Sequence, residues 1–232
     1  MPYTYGSIGN DVVTTLGGDL KVRVFAVVLA GASVVCANAQ FVNGNFETGD
    51  LSGWTVAFTT LGNTIVNDAV QYDIDGPGSL GTSFVGRFSV GRSSTASTVD
   101  EGIYLTQGIN VQAGVTYTMG FDWSAWRTIA TNNSQGGIFS LIVNGNIIAT
   151  QSAGDTSQSA PKYGSLSGSF VAIDTGPAVV GALITRPFTI PSPAAPNLFQ
   201  GVDNFTFAPV PEPGTMVVVG LGAVALLRRK RK

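Results

Sequence analysis

The clearest pattern in the chain is an alternation of period two. In the stretch 115–126, VTYTMGFDWSAW, Tyr117, Met119, Phe121 and Trp123 share one side, while Thr116, Thr118, Asp122 and Trp126 share the other. Successive side chains of an extended strand point to opposite faces, so this pattern predicts a strand with its aromatic side buried. Six further runs (82–90, 102–111, 137–150, 168–173, 179–190 and 197–207) are rich in β-branched and aromatic residues and are bounded by Gly, Asn, Asp or Pro. Within LIVNGNII, Asn144-Gly145 has the positive-φ chemistry of a type I′ hairpin turn, and Ala113-Gly114 marks a second turn. No run carries a helical period and no internal repeat is visible. The predicted fold class is therefore all-β, a two-sheet antiparallel sandwich of about nine or ten strands over residues 40–209.

Two apolar runs break this alternation, one near each end. Val24 to Val35 is a 12-residue apolar segment preceded by Lys21 and Arg23 and followed by Ala37-Asn38-Ala39. A basic flank, a short apolar core and a small-x-small site are the parts of a secretion signal cut by signal peptidase. Residues 1–39 are assigned to that segment, with the true start of translation expected near Leu20 and the mature chain at Gln40. Cys36, the one cysteine, falls in the removed part, and Val34-Val35 before it do not make a lipoprotein box.

The second run, Met216 to Leu227, is again 12 residues long and is followed by Arg228 to Lys232, all basic. As a helix it would cover roughly 18 Å of a hydrocarbon layer about 30 Å thick, so it suits a brief membrane stay with its arginines snorkelling better than a lasting anchor. The basic end is expected to stay cytoplasmic by the positive-inside rule. Pro211-Glu212-Pro213, the apolar segment Gly214 to Leu227 and the basic end together resemble the PEP-CTERM sorting signal. The resemblance covers residues 210–232 and implies an exosortase, an integral-membrane cysteine protease of Gram-negative bacteria, as the processing partner. It also implies an exported protein that passes through an inner-membrane intermediate to the outer surface or extracellular matrix.

Composition narrows the chemistry. There is no histidine in 232 residues, which removes Ser-His-Asp and Cys-His nucleophiles and every histidine-based metal site. A single cysteine allows no intramolecular disulfide. Between Gln40 and Pro209 there are 5 basic residues against 11 acidic ones, so the body is near −6 and unsuited to nucleic acid. A glycosidase built on paired carboxylates is the remaining simple enzyme, but Glu47 and Glu101, the only glutamates of the body, lie in no recognisable catalytic phrase. The regular threonine array of an ice-binding surface is likewise missing.

The body opens with Asn43-Gly44-Asn45-Phe46-Glu47 and Gly53-Trp54 and closes with Val202-Asp203-Asn204-Phe205. These phrases resemble the galactose-binding-like jelly rolls of carbohydrate-binding modules, in which a first strand of this pattern pairs with the closing strand. The resemblance implies a structural Ca²⁺ held by Glu47 and Asp203 with backbone carbonyls, a site of hard oxygen ligands. The loop YDIDGPG alternates Asp73 and Asp75 before Gly76 but lacks the remaining ligand spacing, and is expected to be a solvated loop. Trp54 and Trp123 are assigned to the core. Trp126, on the opposite face and beside Asp122 and Arg127, is expected to be exposed and to form the ligand platform. The resulting expectation is a non-catalytic envelope protein associated with extracellular polysaccharide. The alternatives are a lectin with a defined sugar and, third, a glycan-active enzyme.

Overall fold

The computed structural model describes residues 40–77, 81–129, 134–190 and 197–211. The secretion segment 1–39 with Cys36, Glu212 and Pro213 of the sorting motif, and the apolar segment 214–227 lie outside the described residues.

Ten strands follow in order: β1 (Thr55–Phe58), β2 (Gly62–Tyr72), β3 (Ser83–Arg92), β4 (Glu101–Val111), β5 (Thr116–Arg127), β6 (Ile138–Val143), β7 (Asn146–Ser152), β8 (Lys162–Val171), β9 (Gly176–Arg186) and β10 (Leu198–Pro209). They form two five-stranded antiparallel sheets, β1-β4-β9-β6-β7 and β2-β3-β10-β5-β8, stacked as a jelly-roll sandwich. Among the described residues no helix is long and apolar enough to cross a membrane.

The alternation decides the packing. Tyr117, Met119, Phe121, Trp123 and Ala125 of β5 all face the core, where they meet Phe88, Leu105, Phe139, Leu141, Ile184 and Val202 from the other strands. Asn144 (φ 49°) and Gly145 (φ 79°) turn β6 into β7 as a type I′ turn requires, and Gly114 (φ 80°) turns β4 into β5. Strands β1 and β2 are the two that the sequence marks least. β2 reads GNTIVNDAVQY and is a half-buried edge strand, so its polar positions obscure the alternation.

The opening phrase is not a strand. Residues 41–54 run as successive turns, with Asn43 (φ 51°), Phe46 (φ 52°), Gly49 and Gly53 at positive φ. A backbone with left-handed residues this close together cannot extend. It still meets the last strand: the Phe205 amide donates to the Gly44 carbonyl at 2.9 Å, and Trp54 packs 4.5 Å from the Phe205 ring while its indole N–H donates to the Asn43 carbonyl. Trp54 is thus part of the core packing, as expected.

Candidate carbohydrate-facing sheet and carboxylate site

The outer face of the second sheet gathers most of the side chains that the sequence marks for chemistry. It is built from alternate residues of β5 and β10 with β3 and β8 beside them. In β10 a bulge between Asp203 and Thr206 shifts the register against β5, and Asn204 sits there at φ 53°. One extra residue reverses the alternation, so Phe205 and Phe207 return to the core while Phe199, Gly201 and Asp203 face outward.

Asp203 is fully buried. One carboxylate oxygen accepts from the Ser83 hydroxyl at 2.9 Å and the other from the Asn204 amide at 2.7 Å. Burial pushes its pKa up to about 7, and the charges of Glu47 and Asp122 add to that rise against the lowering by its two donors. Glu47 accepts from the Phe84 amide at 3.1 Å. The fold therefore brings Glu47 and Asp203 onto consecutive residues, Ser83 and Phe84, although they are far apart in sequence. Carboxylate oxygens are the donor type a hard cation takes, but the groups that meet Glu47 and Asp203 here are the Ser83 hydroxyl and the Phe84 and Asn204 amides, which donate to them. Among the described residues no group of three or more acidic, histidine or cysteine side chains converges as a metal cage. Asp122 instead binds the Ser165 hydroxyl at 2.5 Å and the Asn204 side-chain amide at 2.9 Å.

Trp126 is on the outer face, but the expected exposure is wrong. It is only 8% exposed. Tyr72 stacks on it at 3.9 Å and 14°, and Phe199 lies 5.5 Å away. Ile74, which is buried, also reaches over Gly201 beside the Trp126 ring, so the loop expected to be solvated folds down onto the sheet. Asp73 caps that loop by accepting from the Gly76 amide at 3.0 Å. Arg127 does not join Trp126: from Asp122 to Arg127 β5 runs against β10 without a break in register, so residues 126 and 127 alternate to opposite faces. Asp122 shares the face of Trp126, but four residues of strand, about 13 Å, separate the two.

The sequence reading missed the residues that now define this surface. Burial, and next a hydrogen bond shared with Tyr163, raise the Tyr72 phenol well above its usual range. Arg87 lies 5.0 Å over the Phe199 ring and forms a forked ion pair with Asp68 at 2.6 and 2.9 Å. Each comes from a different strand, and no local spacing in the chain links them.

Glu101 lies elsewhere and is closed. Its oxygens accept from the Thr59 and Ser97 hydroxyls and the Leu61 amide, and these bonds, Thr59 first, hold its pKa below the usual value. Glu47 and Glu101 are not brought together: one lies against β3, the other against the link from β1 to β2.

Residues 209–232 match the PEP-CTERM protein-sorting motif. Among solved structures the chain is similar to TmCBM61 in complex with beta-1,4-galactotriose, at 18% identity over 75% of this chain and 100% of that one, with a TM-score of 0.44. It is also similar to the CBM22-1 xylan-binding domain from Paenibacillus barcinonensis Xyn10C, at 14% identity over 77% of this chain and 99% of that one, with a TM-score of 0.43. No curated protein matches the chain.

Proposed function

We propose that this is an exported envelope protein, held at the inner membrane by its sorting tail until an exosortase removes it. On this reading its sandwich is a non-catalytic module that associates with extracellular polysaccharide. One observation carries the proposal. The sorting motif begins at Pro209, the last residue of β10, so it shares with the sandwich only that residue and the Val210 bond to Thr116. Removing the tail takes no strand from either sheet, as a handle meant to be discarded requires.

The sugar-facing reading rests on the outer face of the second sheet. Asp122, Asn204 and Ser165 present acceptors and donors along it, with the half-buried Tyr163 and Tyr72 rings nearby. Pyranose rings offer hydroxyls for the polar groups and C–H faces for the faces of aromatic rings. The platform is carried by Tyr72, with Trp126 as the layer beneath it. Hydrolysis of a glycoside needs two accessible carboxyl groups flanking one bond. Glu101 is saturated with donors and Asp203 is fully buried, which supports a non-catalytic role. A Ca²⁺ held by Glu47 and Asp203 would supply positive charge at that site and tie the opening turns to β10.

The sorting half is tested by replacing Pro211, Glu212 and Pro213 with alanine. Unprocessed protein should accumulate in the inner membrane, and normal-sized protein at the surface would overturn the proposal. The binding half is tested on a glycan array: saturable binding to one sugar would favour the lectin alternative, and turnover of a polysaccharide would favour an enzyme.

A further inference from the structure

The end of the sandwich from which the tail leaves is unlike the rest of the surface. The Val210 amide donates to the Thr116 carbonyl at 2.8 Å, and Thr116 pairs with Val171 across the β5–β8 ladder. Two strand spacings, about 10 Å, thus separate the exit point from Val171. Val171 is 57% exposed, Ile173 90% and Ile147 56%, and Val210 is exposed as well. Val171 and Ile173 border a recess of about 330 Å³ lined by Val111, Val143, Ile148 and Phe170. The turns at this end (112–115, 144–145, 172–175 and 210–211) carry one ionisable side chain, Asp174. An apolar cluster on an otherwise acidic body marks a contact surface.

The covalent tether states what that surface meets. Six peptide steps lead from Val210 to Met216, where the apolar run begins, and even fully extended they reach only about 20 Å. A 12-residue strand such as β10 is itself about 40 Å long, twice that reach, so the tether confines the exit end, and not the far end, to the neighbourhood of whatever layer Met216 enters. Part of that reach is taken up by the headgroup layer, about 6 Å on each side. We infer that, while the tail is in the membrane, Ile173, Val171 and Val210 rest in the headgroup region of the outward-facing leaflet. The body thereby docks on lipid with its exit end down and the polar sheet faces upright. The apolar side chains supply the attraction, and the near absence of charge at this end avoids desolvating ions on contact. The inference rests on the reading that residues 216–227 enter a bilayer.

The test uses the chain from Gln40 onward, which contains no cysteine, reconstituted in phosphatidylcholine vesicles. An environment-sensitive dye is attached to cysteine in the variant Ile173→Cys or, at the far end, Thr95→Cys. The expected result is that both proteins float with the vesicles and that the dye at 173 is blue-shifted and quenched by lipid-borne quenchers, while the dye at 95 reports water. Adding Val171→Asp should return the dye at 173 to a water-like signal without releasing the protein. Floating protein with the same water-like signal at both positions overturns the docking alone. Protein that does not float overturns the docking together with the membrane reading of the tail.

Discussion

Trp123 and Trp126 lie three residues apart on the same strand and face opposite sides of it, and each covers a glycine of a neighbouring strand. Trp123 points inward, lies against Gly164 of β8, stacks on Phe139 at 4.8 Å and donates from its indole to Gln151 at 3.2 Å. Trp126 points outward, lies against Gly201 of β10 and is covered by Tyr72 at 3.9 Å. Exposure barely separates the two, at 2% and 8%. What separates them is the source of the cover. Two sheets enclose Trp123, and they cannot part without unfolding. One ring and one loop cover Trp126, and both can shift locally. Facing outward on a sheet is therefore not the same as being free.

The largest expected effect breaks the inner half of this pair. Trp123→Ala leaves a cavity between the sheets and should cost about 3–5 kcal/mol, read as a lowered denaturant midpoint. A smaller loss than that of Trp126→Ala would mean that the two faces of β5 have been exchanged.

The second effect tests how tightly the outer face is closed, because Asp203 is buried on that side. Its folded pKa, about 7, lies above the ordinary aspartate value of 3.8. Between those values the folded chain keeps a proton that the unfolded chain gives up. Stability from this group is therefore present at low pH and is lost as pH rises toward 7, by up to about 4 kcal/mol. Thermal melts from pH 4.5 to 8 should show the decline, and Asp203→Asn should flatten it. Calcium, if Glu47 and Asp203 bind it, should raise the melting temperature at pH 8 far more than at pH 5, because it requires the ionised acid. An identical melting curve at pH 8 in calcium and in chelator would count against the ion.

Trp126→Ala comes third, at about 2 kcal/mol, since Tyr72 and Ile74 can settle into part of the space. The sequence alone placed this residue in solvent and expected almost no cost, so a melt separates the two views directly. The smallest effect on stability should come from Asp122→Asn or Ser165→Ala, each within about 1 kcal/mol because both side chains are at the surface. The same variants should nevertheless weaken retention on a polysaccharide-containing gel. Unchanged retention in both would remove the polar row from the proposed binding face.

Much of this molecule was legible in the chain. The core face of β5 follows from a strict period of two, and the Asn144-Gly145 turn from the positive φ that only a few residues accept. The pairing of Glu47 with Asp203 came from the phrases that carry them, and the fold brings both to Ser83 and Phe84. The opening phrase was misread as a strand because residues 43–53 carry their information in left-handed positions, which hydrophobic pattern does not record. Tyr72 and Tyr163 escaped notice because a stacking partner from another strand has no fixed spacing in sequence.

Alternation is a local property of extended backbone, so the sequence by itself determined which way the core side chains of β5 point and where its hairpins turn. Whether an outward side chain meets water depends on what a distant segment lays over it. Only the tertiary structure decided that Tyr72 and Ile74 cover Trp126, that a bulge at Asn204 sends Phe205 inward beside a buried Asp203, and that Val171 and Ile173 gather at the end where the chain departs. The covering and clustering contacts join residues tens of positions apart, and their free energy comes from shared burial, which no single stretch of sequence contains.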